Sequence, residues 1–134
     1  MRLFSDSSLR LALIMFIALI IFLALGTYSE IWISQTSKEL AQEIDRLEEL
    51  VKDKKWEEAH ILILHIEKKW IEIEERWDII VDHREMDEID LTLTRSVKYI
   101  EAKNTDLTLG EISALKHLLL HIPRKESFRL RNIF

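Results

Sequence analysis

The segment from Leu11 to Ser29, LALIMFIALIIFLALGTYS, contains no charged residue and constrains the fold more than any other part of the chain. As a helix, a run of this length extends roughly 28 Å, enough to cross the hydrocarbon core of a bilayer. A secretory signal peptide is the alternative, since Ala24 and Gly26 offer small residues at a cleavage point. We favour an uncleaved anchor, because the run is long for a signal peptide and helical character continues through EIWISQTSKELAQEI.

The chain of 134 residues is thereby predicted to have three parts. Residues 1–10 form a short N-terminal flank, residues 11–29 the transmembrane anchor, and residues 30–134 a helical domain with a C-terminal tail. Arg2 and Arg10 precede the anchor, whereas the first base after it is Lys38, which favours an N-terminus in the cytoplasm and an extracytoplasmic domain. Arg46 follows, so the wider count of bases is nearly even. The absence of Cys permits this location.

Composition and motifs also exclude several classes of function. A net charge of −5 and the lack of a basic stripe with interleaved aromatics argue against nucleic acid as a partner. Nucleophile–base arrangements, phosphate loops and cofactor fingerprints are absent from the sequence, so we predict no enzyme and no cofactor.

The domain is predicted to be all-α, because two Gly and one Pro punctuate the chain sparsely and strand-type alternation is missing from every long segment. The first helix should continue from the anchor to about Val51, with a turn at 53–55. The second helix has apolar residues at alternating steps of three and four, a continuous heptad pattern typical of left-handed bundles. This pattern comprises Trp56, Ala59, Ile63, Ile66, Trp70, Ile73, Trp77 and Ile80.

Two further helices complete a predicted antiparallel four-helix bundle. We expect a turn at 82–85, a third helix to about Lys103, a break at 104–106 and a fourth helix that starts with a Thr108–Glu111 capping box and stops at Pro123. Antiparallel packing places the 82–90 segment and the end of the fourth helix at the membrane-proximal end. The inward residues of the other helices are Ile33, Leu40, Ile44, Leu47 and Val51, then Met86, Leu93, Val97 and Ile100, then Ile112, Leu115, Leu119 and Ile122.

Five segments, taken in order, resemble one bacterial family, the domain-of-unknown-function family numbered 4363. They are YSEIWI, KKWEEAHILILHIEKKW, WDIIVDHREMDEID, LKHLLLHIP and the terminal NIF. The resemblance covers nearly the whole chain and implies one anchor followed by a helical domain. It implies no assigned activity and no catalytic residues. The resemblance also implies a loose association of the family with neighbouring small membrane proteins, which favours an accessory role.

The acidic segment DHREMDEID, at 82–90, is one candidate metal or proton site. His83, Asp87 and Asp90 share a helix face, and imidazole with carboxylates suits a divalent transition metal. However, acidic residues are favoured in the first turn of a helix, and ligands seven residues apart lie about 10 Å apart along its axis. We therefore interpret the segment as helix capping and ion pairing, with Arg84 and the bases of the tail offsetting the carboxylates.

The histidines supply a second candidate. His117 and His121 in HLLLH have the i, i+4 spacing that can chelate zinc, but no further ligand accompanies them. They point away from the apolar stripe of their helix, so we expect a solvated or tail-covered face and no metal. His60 and His65 do not share a face and are predicted to lie at the boundary of the core.

Two apolar features remain without a fixed role. Ile61, Leu64 and Ile71 form a second stripe on the second helix, either covered by neighbouring helices or serving as a docking face for a partner. The tail RKESFRLRNIF either lies on anionic lipid or folds back into the bundle with Phe134. We favour fold-back, because the apolar residues at the end of the chain gain by burial.

These features predict a non-catalytic, membrane-anchored interaction or accessory protein that binds or stabilises another membrane protein. Ile61, Leu64 and Ile71 are the predicted partner-binding residues. The alternative is a metal- or pH-responsive, membrane-proximal sensor that uses the acidic segment and the nearby histidines.

Overall fold

A computed structural model describes the backbone of residues 6–131 and the side chains of residues 7–124. This part contains four helices and no strand: α1 (Asp6–Lys52), α2 (Trp56–Trp77), α3 (His83–Glu101) and α4 (Thr105–Arg131). Each helix packs against its neighbours in sequence, and α4 closes the ring by packing along α1. The predicted all-α fold, a long apolar N-terminal helix continuing into an antiparallel four-helix bundle, is confirmed.

The core consists of the predicted apolar stripes, because one face of each helix points to the bundle axis. All thirteen inward residues predicted for α1, α3 and α4 are buried. On α2, Trp56 and Ile73 are half-buried at the rim. The fully buried part of the α2 pattern comprises Ala59, Ile63, Ile66, Trp70 and Trp77.

Two helices end on a lysine in the left-handed backbone region, where glycine is the usual residue. Lys54 has a φ of 57° and Lys103 a φ of 53°. At the end of α1, the Lys54 N–H donates to the Val51 carbonyl and the Lys55 N–H to the Leu50 carbonyl, which is a Schellman motif. The same pair of bonds recurs at Lys103 and Asn104. Short turns of this kind reverse the chain and keep adjacent helices antiparallel.

The connection between α2 and α3 differs from the prediction. α2 ends at Trp77, where the chain tightens: the Ile80 N–H donates to the Trp77 carbonyl three residues back, and this carbonyl also accepts the Val81 N–H. Ile80 is 37% exposed, and Val81 takes the place in the core instead. The predicted turn at 82–85 is therefore wrong, since the chain turns over residues 78–82. Asp82 is the N-cap of α3 and accepts the Arg84 N–H at 3.0 Å.

Both predicted boundaries of α4 are also wrong. The helix starts at Thr105 because Asn104 caps it, with the Asn104 Oδ1 accepting the Leu107 N–H at 3.0 Å. Thr108 lies inside the helix, where its buried hydroxyl donates to the Asn104 carbonyl. Pro123 does not stop the helix, which continues to Arg131. A proline removes one intrahelical hydrogen bond, and the good helix formers that follow in RKESFRLR sustain the helix beyond it.

Candidate functional site

The first half of α1 lies outside the bundle. Every side chain from Ser7 to Leu25 is exposed, and Ile33 is the first buried residue along the helix. Because α1 is one continuous helix, its apolar half projects from the end of the bundle at which Ile33 enters, here called the entry end. Among the described residues, this is the one helix long and apolar enough to cross a membrane; it could be a membrane span or a signal sequence.

The entry end also holds the connection between α2 and α3 and the last turns of α4. The Arg76 guanidinium lies 6.0 Å from the centre of the Trp32 ring, which fixes the end of α2 beside the start of the buried part of α1. A cleft of about 290 Å³ lies between α3 and α4. Its lining residues are Glu85, Glu88, His117, Leu118, His121 and Ile122. The acidic segment and the histidine pair are therefore neighbours, as the antiparallel path predicts.

Within the acidic segment, the side chains engage separate partners. The His83 Nδ1 lies 2.9 Å from the Asp78 Oδ1, and Arg84 lies 3.3 Å from the carboxylate of Asp82. Asp87 is exposed, and Asp90 turns towards α2. Across residues 7–124, no group of three or more His, Asp or Glu side chains is placed to hold one metal ion. The geometry thus distributes the segment over a helix cap and ion pairs.

The histidines lie on the surface. His117 and His121 are exposed, and their rings stack with centres 5.9 Å apart and planes at 28°. His60 is half-buried, with its Nε2 3.8 Å from Glu101, while the exposed His65 has its Nε2 4.0 Å from Glu43. His60 and His65 thus face two different neighbours of α2, α3 and α1, and do not meet at one site.

Asp90 joins a small polar cluster in the groove between α2 and α3. The indole N–H of Trp70, which is otherwise buried, donates to the Asp90 Oδ1. The Glu74 carboxyl also lies in hydrogen-bonding contact with Asp90. Partial burial raises the pKa of Glu74 above its ordinary value, and the negative charge of Asp90 raises it further. Two carboxyl groups in contact repel each other when both are charged, so the pair takes up a proton more readily than a single carboxyl group does.

The contacts of Asp90 with Trp70 and Glu74 were not predicted from the sequence. No local pattern could identify them, because Trp70 and Asp90 are twenty residues apart and meet only once α2 and α3 pack in one register. Trp70 and Glu74 lie on one side of α2, and an apolar residue beside an acidic one is common at the edge of the buried face of a helix. Their role depends on the neighbouring helix.

The second apolar stripe of α2 is exposed. Ile61 is 71% exposed, Leu64 42% and Ile71 53%. The stripe points away from the bundle, because the two sides of α2 beside it are already engaged. On one side Lys69 pairs with Glu43 of α1, and on the other side lie the contacts of α2 with α3. Of the two interpretations, cover by neighbouring helices does not hold for the described residues.

The C-terminal tail is described only in part. The backbone of α4 extends through it to Arg131, and Arg124 is exposed. The predicted fold-back of Phe134 and the predicted neutralisation of carboxylates by Arg129 lie outside the described side chains.

Together these features define a helical-bundle domain preceded by an apolar helix that the bundle does not cover. The chain belongs to the family described as Domain of unknown function (DUF4363), which matches residues 27–133. The resemblance noted in the sequence is thereby confirmed, and the match begins where the apolar run gives way to the bundle. No curated protein and no solved structure matches the chain.

Proposed function

We propose that the protein is a non-catalytic, single-pass membrane protein of the cell membrane that binds or stabilises another membrane protein. α1 anchors it, and the bundle stands at the membrane surface. The observation that carries the proposal is the continuity of α1. This one helix of 47 residues is exposed on all sides from Ser7 to Leu25, and from Ile33 onwards it buries one face in the bundle.

The energetics favour a membrane around the exposed half of α1. Burying one Leu, Ile or Phe side chain gains about 1.5–3 kcal/mol, and more than ten such residues lie exposed between Leu9 and Leu25. Their sum exceeds the about 5–15 kcal/mol that stabilises a typical domain. This segment therefore needs an apolar environment, which a bilayer supplies over the length of the helix.

The orientation follows from the flanking charges. Arg2 and Arg10 lie before the apolar run, and the first base after it is Lys38. Bases close to a span are retained in the cytoplasm, which supports a cytoplasmic N-terminus and an extracytoplasmic bundle.

The exposed stripe of Ile61, Leu64 and Ile71 supports a docking role. Exposed apolar residues are common singly, but three that are aligned on one helix face can contact a single partner helix. The Lys69–Glu43 ion pair and the His60–Glu101 contact lie beside the stripe and do not cover it. A partner helix gains affinity there without any rearrangement of the bundle.

Co-purification from membranes in mild detergent tests the docking role. Changing Leu64 and Ile71 together to Lys should leave the helical content unchanged, because both side chains already face solvent, and should remove the co-purifying partner. Leu91→Lys is the matched control, since Leu91 is 55% exposed on α3, away from the stripe. A partner retained equally by all variants would contradict the docking role, and loss of the fold would show that the stripe is internal.

A pH-responsive sensor is the second candidate function. It is supported by the position of Glu74 at the groove between α2 and α3, where partial burial and the contact with Asp90 raise the pKa of its carboxyl group. Protonation there would strengthen the packing of these two helices. A bundle stability that does not change with the protonation of Glu74 would contradict this candidate.

A further inference from the structure

Lys68 interrupts the exposed stripe of α2 between Leu64 and Ile71, and Glu57 and Glu75 continue the line at its two ends. Together with the three apolar residues they form one line along the helix, at alternating steps of four and three, and all six side chains are exposed. This line, here called the outer seam, consists of Glu57, Ile61, Leu64, Lys68, Ile71 and Glu75.

The spacing of the outer seam is that of one strand of a coiled coil. Residues at steps of four and three face a single partner helix, and a polar residue at one such position selects the partner and register at a cost in stability. Lys68 is such a residue, lying between Leu64 and Ile71. The outer seam lies opposite Ile63, Ile66 and Trp70, which are buried in the bundle. The two faces of α2 can therefore be occupied at the same time.

A second copy of this chain fits the outer seam poorly. Copies anchored in one membrane through α1 hold their α2 helices in the same direction, so paired seams would be parallel. In a parallel pair each seam position meets its own equivalent. Glu57, Lys68 and Glu75 would each face an identical charge, which opposes association. An antiparallel pair would direct the two anchors away from each other.

We infer that the outer seam binds an amphipathic helix of a different protein, with apolar residues facing the seam's three apolar positions, a carboxylate facing Lys68, and Lys or Arg facing Glu57 and Glu75. The exposed Glu58 and Glu72 beside the seam further favour a basic partner helix. This inference rests on the proposed docking function and specifies the partner that the docking surface selects.

The test uses the full chain in lipid nanodiscs and labelled helical peptides, with binding measured by fluorescence anisotropy. The complementary peptide has apolar residues at three positions, an acid facing Lys68, and bases facing Glu57 and Glu75. One version of the peptide is designed to pack parallel to α2 and a second version to pack antiparallel to it. The matched control peptide keeps the same residues but moves the acid to the position facing Glu75, so both peptides have the same net charge.

We expect one complementary peptide to bind the wild-type chain about tenfold more tightly than its control, equivalent to about 1.4 kcal/mol. Exchanging the charges in the protein, with Lys68→Glu and Glu75→Lys, should reverse this preference without altering the net charge. Reversal is the decisive result, because a general attraction between basic peptide and acidic protein would not follow the exchange.

Three outcomes would overturn the inference. Equal binding of complementary and control peptides, lost in Leu64→Lys, would mean that the stripe docks helices without selecting charge. A dimer of the full chain that dissociates in Leu64→Lys would mean that a second copy occupies the seam. Absence of peptide binding would also overturn the inference. The proposed docking function would fail as well only if the partner still co-purified with the variant that carries Leu64→Lys and Ile71→Lys.

Discussion

Glu74 shows how one side chain can couple the packing of two helices to pH. Its pKa is raised from an ordinary value of 4.5, first by burial and then by Asp90, Asp78 and Asp87. The folded protein therefore holds the Glu74 proton more tightly than the unfolded chain does. This contribution to stability is complete below the unfolded pKa and is lost as the pH rises through the folded pKa.

Replacing Glu74 by Gln should consequently raise the melting temperature at pH 7. Gln is neutral, as Glu74 is when protonated, so the advantage over wild type should shrink as the pH falls to 4. Melting of the full chain in detergent, followed by circular dichroism, measures the difference. The control is Glu72→Gln, which removes one exposed charge from the same helix. An equal effect of both variants at every pH would assign the change to net charge alone.

We expect that the histidines and carboxylates at the entry end of the bundle do not bind a metal ion. His117 and His121 are exposed and lack a third ligand in the described part, and Asp90 is engaged with Trp70. We predict that zinc or manganese added to chelator-treated protein leaves the melting temperature unchanged. A metal bound only by the folded state would add about 2.7 kcal/mol at a hundredfold excess over its dissociation constant. A clear rise, lost in His121→Ala, would contradict the prediction.

At the scale of elements, α2 has two separate faces: the outer seam, and an inner seam of the buried residues Ala59, Ile63, Ile66, Trp70 and Trp77. Trp70 is 1% exposed on the inner one, and its ring meets that of Trp77 edge to face with centres 5.5 Å apart. Such aromatic pairs contribute beyond the area they bury. The inner seam thus fixes the bundle, and the outer seam remains available to a partner.

Trp70→Ala should destabilise the bundle by about 3–5 kcal/mol, as large-to-small changes at buried aromatic residues do. The loss would be a large part of the stability of a small domain. Denaturant unfolding of the full chain in detergent measures it. Trp56→Ala, at a half-buried position of the same helix, should cost less. Equal stabilities of wild type and Trp70→Ala would mean that the inner seam does not form the core.

The faces of the helices could be predicted from the sequence, but several of their ends could not. Steps of three and four place Ala59, Ile63 and Ile66 on one side of α2 whatever follows. In contrast, WDIIVD contains no residue that forces a helix to end, so Ile80 was assigned to a core position that Val81 occupies. Asp82, as an Asx-type residue before a helix, carried a capping signal that the acidic character of the segment obscured.

The end signals of the other helices were hidden for a different reason. Lys54 and Lys103 occupy left-handed cap positions that glycine normally marks, so composition gave no indication of a Schellman motif. Pro123 indicated that α4 should stop there, but the helix continues to Arg131. The contacts of Asp90 with Trp70 and Glu74 depend on how two helices align, which no periodicity within one helix specifies.

At the scale of the whole molecule, the two halves of α1 differ in their contacts. Its C-terminal half supplies Leu40, Ile44 and Leu47 to the core, while the described side chains of its N-terminal half, from Ser7 to Leu25, are exposed. A rigid helix shared by anchor and bundle would hold α2 at a fixed distance and angle from the bilayer. The outer seam would then be presented in a constant direction to helices of neighbouring membrane proteins.

The proposed function requires α1 to remain intact in the membrane. Its most direct test is intact-mass spectrometry of the protein recovered after membranes are washed with alkaline carbonate, which removes peripheral proteins. We predict that the protein stays in the membrane pellet with a mass that includes Leu11–Ser29. A chain found in the supernatant, with a mature N-terminus at Thr27, would show that the apolar half of α1 is a cleaved signal sequence and would contradict the anchor.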